Sequence, residues 1–168
     1  MHPVIEFYLE QRKSNENLSL QDMWTMSPKF IGDAYFYIAW LLPVTESTKW
    51  NRRFKVPVFR PEDVEAFQNN AEIQPKYLKS IDFILDYFCL YREGNQIFAK
   101  PELAEKKHWL RNIGHESKKI SRLIRSLKYC GYVELAKNLQ QLAIKLGTEK
   151  GVIQEETIGI WQGIFADG

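Results

Sequence analysis

The chain has few cysteines and histidines, and their spacing fits neither a disulfide framework nor a metal site. The two cysteines, Cys89 and Cys130, are too few for such a framework and both stand within apolar helical patterns. We therefore predict reduced, buried thiols and a cytoplasmic protein, or a nuclear one in a eukaryote. His2, His108 and His115 share no metal-ligand spacing with each other or with the cysteines, so we expect no metal site.

Long apolar runs and the common nucleotide-binding and nucleophile motifs are missing as well. The most apolar stretch, residues 30–43, is shorter than the roughly 20 residues that a membrane-spanning helix needs, and the N-terminus carries no secretory signal. There is no P-loop, no dinucleotide-binding glycine motif and no Gly-x-Ser-x-Gly. We expect no transmembrane segment and no cofactor, and we favour a binding domain over an enzyme.

What the sequence does contain is a large apolar and aromatic fraction, 45% and 14% of 168 residues, which is enough for a sizeable core. Eleven of the fourteen residues at 30–43 are apolar or aromatic, which predicts a helix buried on nearly every side. Apolar residues recur at helical spacing for about ten residues from Pro3, then at 20–26, 61–70, 75–94, 101–113, 115–129, 132–147 and 158–165.

These patterns predict an all-α fold without strands. We expect residues 1–168 to form a single compact domain, a bundle of about seven or eight helices around the buried helix at 30–43. Ser19 is predicted to cap one helix and Pro61 to begin another. Residues 44–60 contain two prolines and show no sustained period, so we predict one long ordered loop there.

Basic residues are grouped locally although the whole chain is almost neutral, with 23 Lys plus Arg against 21 Asp plus Glu. One group lies in the predicted loop and the other on the helix at 115–129: Lys49, Arg52, Arg53 and Lys55, then Lys118, Lys119, Arg122 and Arg125. If the loop folds over the helix, these cations can bind phosphates or carboxylates, and Trp50 can stack on a base. The alternative interpretation is that positions 118, 122 and 125 form a solvated face.

Single residues allow competing interpretations too. His115 either marks a site or caps a helix, and Arg122 either belongs to a site or pairs with a carboxylate such as Asp86. Asp82 and Asp86 lie one helical turn apart, as an acid/base or metal-binding pair would. An enzyme with His115 as acid/base and one of these carboxylates as its partner is our least favoured hypothesis.

Three segments of the chain match, in order, the motifs of one known family. Residues 37–43, YIAWLLP, followed by Asn51, are similar to its Tyr-Ile-Gln-Trp-Leu-Phe-Pro and downstream Asn. Residues 85–90, LDYFCL, resemble its Leu-Asp-Phe-Tyr-Gly segment. Residues 115–127, HESKKISRLIRSL, resemble its His-Asn-x-x-Arg-Ile-Thr-Arg-Ile-Leu-Lys-Ser-Leu, with Gly131 at the matching spacing. The chain is thereby identified as a member of the opioid growth factor receptor conserved-region family.

The resemblance implies a function only in outline. The family usually has His-Asp ahead of the first motif and Gln within it, where this chain has Tyr35, Phe36 and Ala39. Animal members carry long C-terminal tails and are described as nuclear or perinuclear enkephalin-binding regulators of growth. For this chain the resemblance implies a minimal single-domain member, a noncatalytic domain that binds a ligand or a protein or peptide partner. It assigns motif positions to His115, Lys119 and Arg122.

The alternative is binding of nucleic acid or of another anionic, phosphorylated ligand through the loop and the basic helix. For either function the candidate ligand-binding residues are Trp50, Asn51, Arg52, Arg53, His115, Lys119 and Arg122. No catalytic residue and no oligomeric state are predicted.

Overall fold

A computed structural model describes residues 1–26, 36–103, 116–150 and 155–165. Within these ranges the chain forms nine α-helices and one two-stranded sheet. The helices are α1 Pro3–Tyr8, α2 Leu20–Thr25, α3 Phe36–Leu41, α4 Lys49–Phe54, α5 Pro61–Gln68, α6 Ile73–Tyr87, α7 Glu116–Tyr129, α8 Val133–Lys150 and α9 Glu155–Gly163, and the strands are β1 Leu90–Glu93 and β2 Gln96–Ala99. The predicted all-α class is confirmed.

Helix α3 lies in the core. All its residues from Tyr37 to Leu41 are at most 1% exposed, which confirms the predicted burial of this stretch. It packs against α1 and α4, and α1 packs in turn against α6. The hydroxyl of Tyr8 donates to the carbonyl of Leu41 at 2.7 Å, satisfying an acceptor that a helix end leaves without an intrahelical partner. Residues 30–35 of the predicted helix lie outside the described residues.

Helices α7 and α8 form the other large part of the core. Helix α7 buries its whole apolar face, with no exposure at Ile120, Leu123, Ile124 and Leu127. Helix α8 packs against α7, β2 and α9. Between α7 and α8, Gly131 has φ +97°, a conformation that favours glycine, so the predicted end of α7 at this residue is confirmed. No described helix is both long and apolar enough to cross a lipid bilayer.

Several helix boundaries differ from the prediction. Ser19 caps α2 and Pro61 begins α5 as predicted. Helix α1 has six residues instead of about ten, and it is followed by Glu10 at φ +59°. Helix α6 ends at Tyr87, because Cys89 adopts φ +57°, and α8 continues past Gly147. Of the helix predicted at 101–113, residues 104–113 lie outside the described residues.

The prediction of no strand pair is wrong. Strands β1 and β2 pair in antiparallel register from Leu90 opposite Ala99 to Glu93 opposite Gln96. The two-residue turn between them contains Gly94 at φ +61°, the kind of position for which hairpin turns use glycine. Strand β1 packs against α6 and β2 against α8, so the hairpin contacts both helices. Both cysteines are free and buried as predicted, although Cys89 follows α6 instead of lying within it.

The prediction that residues 44–60 form only a loop is also wrong, because α4 lies within this segment. Thr48 caps α4, since its Oγ1 accepts from the backbone N–H of Asn51 at 3.5 Å while the Asn51 Oδ1 accepts from the N–H of Thr48 at 3.2 Å. Such a reciprocal capping box satisfies donors that a helix start leaves unpaired. The Phe59 N–H donates to the Val44 carbonyl at 2.8 Å and closes the segment.

Candidate functional site

A pocket of about 320 Å³ lies where the start of α4 meets α7 and α9. We call it the α4–α7 pocket, and it is lined by Thr48, Lys49, Trp50, Arg53, Lys118, Ser121, Arg122, Arg125 and Ile160. The segment predicted as a loop therefore does fold over the basic helix. The sequence predicts an anion site only if these two segments meet.

Arg122 is the residue on which this arrangement depends. It is only 1% exposed, and its Nε donates to the carbonyl of Leu42 at 2.8 Å. Its Nη1 donates to the Thr48 Oγ1 at 2.8 Å and to the Asn51 Oδ1 at 2.7 Å. One guanidinium on α7 thus ties together the residue after α3, the cap of α4 and the first turn of α4.

Asn51 supports this network from within α4. It is buried, its Oδ1 also accepts from the Thr48 hydroxyl at 2.9 Å, and its Nδ2 donates to the carbonyl of Val56 at 2.9 Å. The side chain thereby fixes both the start and the end of the short helix. Its role is to hold Thr48 and Arg122 in place, and it does not itself line the pocket.

The positive charge of Arg122 is not neutralised by these bonds. All three acceptors are uncharged, and the buried Nη2 has no acceptor among the described residues. Burial, with a smaller contribution from Arg125, lowers the pKa of Arg122 to about 9, so the guanidinium stays charged at neutral pH. A buried charged donor without an acceptor is costly, so an anion that reached Nη2 would offset this cost.

The alternative in which Arg122 pairs with a carboxylate such as Asp86 is wrong. Asp86 is exposed and accepts instead from the Lys100 ammonium, while the exposed Asp82 accepts from the Arg92 Nε at 2.7 Å. Each carboxylate of the predicted acid/base pair is therefore engaged by its own cation. Within the described ranges, no group of three or more His, Cys, Asp or Glu side chains is placed to hold a metal ion.

Among the described residues, the charges around the α4–α7 pocket have one sign. Five of the described lining residues are basic and none is acidic: Lys49, Arg53, Lys118, Arg122 and Arg125. None of the five forms an ion pair with any part of the chain that the structure describes. Like charges gathered on a concave surface produce a positive potential that attracts anions.

The exposure of these cations separates the two interpretations of the basic helix. Lys118 is exposed and Arg125 is half-buried, whereas Arg122 is almost fully buried. The interpretation as a solvated face is therefore correct for Lys118 and wrong for Arg122. On α4, Arg53 is exposed and its guanidinium carbon lies 5.3 Å from the centroid of the Phe54 ring.

The predicted site residues are only partly brought together. Trp50, Arg53 and Arg122 line the pocket, and Asn51 bonds to Arg122 beside it. Arg52 is exposed and does not line the pocket. Lys119 is fully buried, with its Nζ 5.5 Å from the centroid of the Tyr87 ring, and it is not part of the lining either. His115 lies outside the described residues.

Some residues of the pocket were not candidates from the sequence. Thr48 could have been found, because Thr48-x-x-Asn51 is a capping pattern of the kind that begins helices. Ile160 offered no signal, because only the fold brings α9 to the pocket. The Trp161 Nε1 donates to the Ser121 Oγ at 2.9 Å, and this bond holds α9 against α7.

The comparison with known proteins supports the family resemblance of the segments that are joined by the bonds of Arg122. No curated protein and no solved structure matches the chain. A family model, the opioid growth factor receptor (OGFr) conserved region, matches residues 3–164. Leu42 and Asn51 lie in the part of the sequence that resembles the first family motif and Arg122 in the part that resembles the third, and these parts share one hydrogen-bond network. Since the match spans nearly the whole sequence, the chain belongs to the opioid growth factor receptor conserved-region family.

Proposed function

We propose that this chain is a noncatalytic ligand-binding domain, and that its ligand is a small phosphate-bearing anion held in the α4–α7 pocket. We take residues 1–168 as one domain, because the family match and the shared core both extend over almost all of it. The observation that carries the proposal is Arg122: a buried guanidinium, bonded only to neutral acceptors, with one nitrogen that has no acceptor among the described residues.

An anion in this pocket would satisfy the free donor and offset the charge. Hydrogen bonds between a guanidinium and an anionic oxygen are about twice as strong as bonds between neutral groups. Arg125 lines the same pocket as Arg122, and Lys49, Arg53 and Lys118 add further positive charge from its exposed part. An anion bound here would therefore contact both buried and exposed cations.

The number of cations favours a phosphate over a carboxylate. A phosphate monoester carries about −1.5 to −2 charges at neutral pH, whereas the C-terminus of a peptide carries one. Five cations, with no acidic side chain among the described residues of the lining, match the larger charge better. The cations surround a concave pocket and do not form a long stripe, so the arrangement favours a small ligand over an extended nucleic acid backbone.

The chemistry of the lining supports binding without catalysis. Among the described residues that line the α4–α7 pocket there is no carboxylate, imidazole or thiol to act as a general base. Two hydroxyls, those of Thr48 and Ser121, are present, and both take part in bonds that hold the helices together. The residues that line this pocket are thus suited to hold a phosphate and not to activate a nucleophile against it.

Two neighbouring arginines provide a matched test with inorganic pyrophosphate as the probe. Arg52 and Arg53 are both exposed on α4, but only Arg53 lines the pocket. We expect pyrophosphate to raise the melting temperature of the wild-type protein and of Arg52→Ala alike. Arg53→Ala should bind about tenfold more weakly, which corresponds to about 1.4 kcal/mol. All binding should weaken as salt is added.

Equal losses in the two variants would mean that the anion sits elsewhere on the basic surface. The absence of any stabilisation by pyrophosphate at low salt would contradict the proposed function as a whole. Both variants remove one exposed charge from the same helix, so a difference between them reports the position of the ligand and not the overall charge of the protein.

A further inference from the structure

The α4–α7 pocket is larger than a bare phosphate requires. Its volume of about 320 Å³ falls at the lower end of the range in which proteins bind small organic molecules, about 300–1,000 Å³. A phosphate at Arg122 would leave much of this space to the rest of the ligand. The size of the pocket therefore indicates an organic group attached to the phosphate.

The lining residues other than the cations indicate what kind of organic group fits. Among the described lining residues, Trp50 on α4 is aromatic, and Ile160 on α9 is aliphatic and 45% exposed. Flat rings stack well on an indole face, and arginine guanidinium planes can stack on such rings too. Arg53 lines the pocket together with Trp50.

A sugar alone fits this lining less well than a ring. A sugar is recognised through many hydrogen bonds to neutral polar groups, and the neutral polar side chains among the described lining residues are the hydroxyls of Thr48 and Ser121. Thr48 caps α4 and bonds to Arg122, while Ser121 accepts from the Trp161 indole. Both hydroxyls are engaged in holding the pocket together, whereas a nucleobase can be held by stacking alone.

We infer that the ligand is a nucleoside phosphate, with its phosphate at Arg122 and its base against Trp50. This inference rests on the proposed function, because it assumes that the pocket binds a phosphate. It adds the class of the organic group and gives Trp50 a role as the residue that selects it. A free mononucleotide and the 5′-phosphorylated end of a single strand share this chemistry.

Calorimetric titrations with AMP, ribose 5-phosphate and adenosine test the inference. AMP should bind about tenfold or more tightly than ribose 5-phosphate, because only AMP has a base that can stack. Adenosine should bind weakest, since it lacks the phosphate. Trp50→Leu should lower the affinity for AMP to the level of ribose 5-phosphate and leave ribose 5-phosphate binding unchanged.

The outcomes distinguish this inference from the proposed function. If AMP and ribose 5-phosphate bind equally, or if Trp50→Leu weakens both alike, the base has no site at Trp50 and the inference is overturned while phosphate binding stands. If neither compound nor pyrophosphate binds, both proposals fail. A 5′-phosphorylated tetranucleotide that binds more tightly than AMP would support the inference and identify a strand end as the source. Equally tight binding of the unphosphorylated strand would overturn it.

Discussion

Two regions of this protein gather basic residues, and they differ in what accompanies the charge. Beside the hairpin, Arg92 and Lys100 each pair with a carboxylate on α6. At the α4–α7 pocket five cations line one concavity, no acidic side chain is found among its described residues, and one of the five cations is buried. The comparison teaches that neither the number nor the spacing of basic residues marks a candidate site. A candidate site is marked instead by a basic side chain that is buried and has no counter-ion.

The physical costs of the two arrangements differ accordingly. The carboxylates of the hairpin pairs are about half exposed, so each pair contributes little to stability and is screened by salt. A buried charge is far more expensive, because desolvation costs several kcal/mol in a protein interior. The three hydrogen bonds of Arg122 offset part of this cost. An anion in the pocket would offset more of it.

The largest effect should come from removing the buried guanidinium. Arg122→Met would remove one donor from each of the acceptors of Leu42, Thr48 and Asn51, and we expect it to lower the free energy of unfolding by about 3 kcal/mol. The loss should be larger in pyrophosphate than in anion-free buffer, since only the wild-type protein gains stability from the ligand. Urea unfolding measures both values.

Arg125→Met is the matched control for this change. Arg125 lines the same pocket from the same helix, but it is half-buried and its side chain forms no hydrogen bond with the part of the chain that the structure describes. We expect Arg125→Met to lower the free energy of unfolding by less than about 1 kcal/mol while still weakening pyrophosphate binding. Equal destabilisation by the two substitutions would contradict the anchoring role that we assign to Arg122.

A carboxylate introduced into the pocket would give it a cation–carboxylate pair like those beside the hairpin. Thr48→Asp places a carboxylate beside Arg122 and retains a good helix cap, and Thr48→Asn is its uncharged control with similar shape. We expect the Asp variant to exceed the Asn variant in stability by about 1 kcal/mol and to bind pyrophosphate at least tenfold more weakly. Unfolding and calorimetry at neutral pH provide these values. Equal affinities in the two variants would show that the charge of the pocket does not govern binding.

His2 limits the pH range over which the stabilities of variants can be compared. Its own effect on the free energy of unfolding should be smaller than the effects described above. Its Nδ1 accepts from the N–H of Val4 at 3.0 Å, and its Nε2 donates to the Val58 carbonyl. Burial lowers the pKa of His2 from 6.5, so protons bind preferentially to the unfolded chain. The contribution of His2 to the free energy of unfolding is therefore present above pH 6.5. It is lost as the pH falls from that value toward the pKa of His2 in the folded protein.

We expect this loss to be no more than about 1 kcal/mol, because His2 is only half-buried and the change amounts to that of a helix cap. His2→Asn keeps a capping acceptor that does not titrate and should remove the pH dependence between pH 7 and 5. A wild-type slope that persists in this variant would assign it to another group. Unfolding measured across this pH range distinguishes the two results.

The smallest effect should come from the hairpin region itself. Asp86→Asn removes the partner of Lys100, whose pKa is raised by the bond to this carboxylate. The pair is substantially exposed, so we expect a change of about 0.5 kcal/mol that vanishes in high salt, and no change in pyrophosphate binding. A clear loss of binding would show that the two basic regions are coupled. Unfolding at two salt concentrations and one titration measure both quantities.

The parts of the fold that sequence patterns predicted are those with long apolar periods. The burial of α3 followed from its apolar residues, and α7 followed from Ile120, Leu123, Ile124 and Leu127 at helical spacing. The hairpin was missed because its strands have four residues each, too few to show alternation beside the end of α6. Helix α4 was missed because its six residues make less than two helical turns and include only two apolar side chains, Trp50 and Phe54.

The candidate site was harder to predict because its contacts are distant in sequence. Basic residues at the start of α4 and on α7 were recognised, and their meeting was one of two open interpretations. The bonds of Arg122 reach residues 71 to 80 positions earlier in the chain, and no local pattern reports such contacts. Arg52 and Arg53 are equivalent in sequence, and only the turn of α4 determines which one lines the pocket.

The most direct test of the claim that Arg122 receives an anion is the NMR spectrum of its guanidinium during a pyrophosphate titration. The Nε–H of Arg122 is buried and bonded to Leu42, which should slow its exchange with water and make its signal observable. We predict that this signal shifts saturably, with the dissociation constant found by calorimetry. An unchanged Arg122 signal in protein that is saturated with pyrophosphate would place the anion elsewhere and contradict the account.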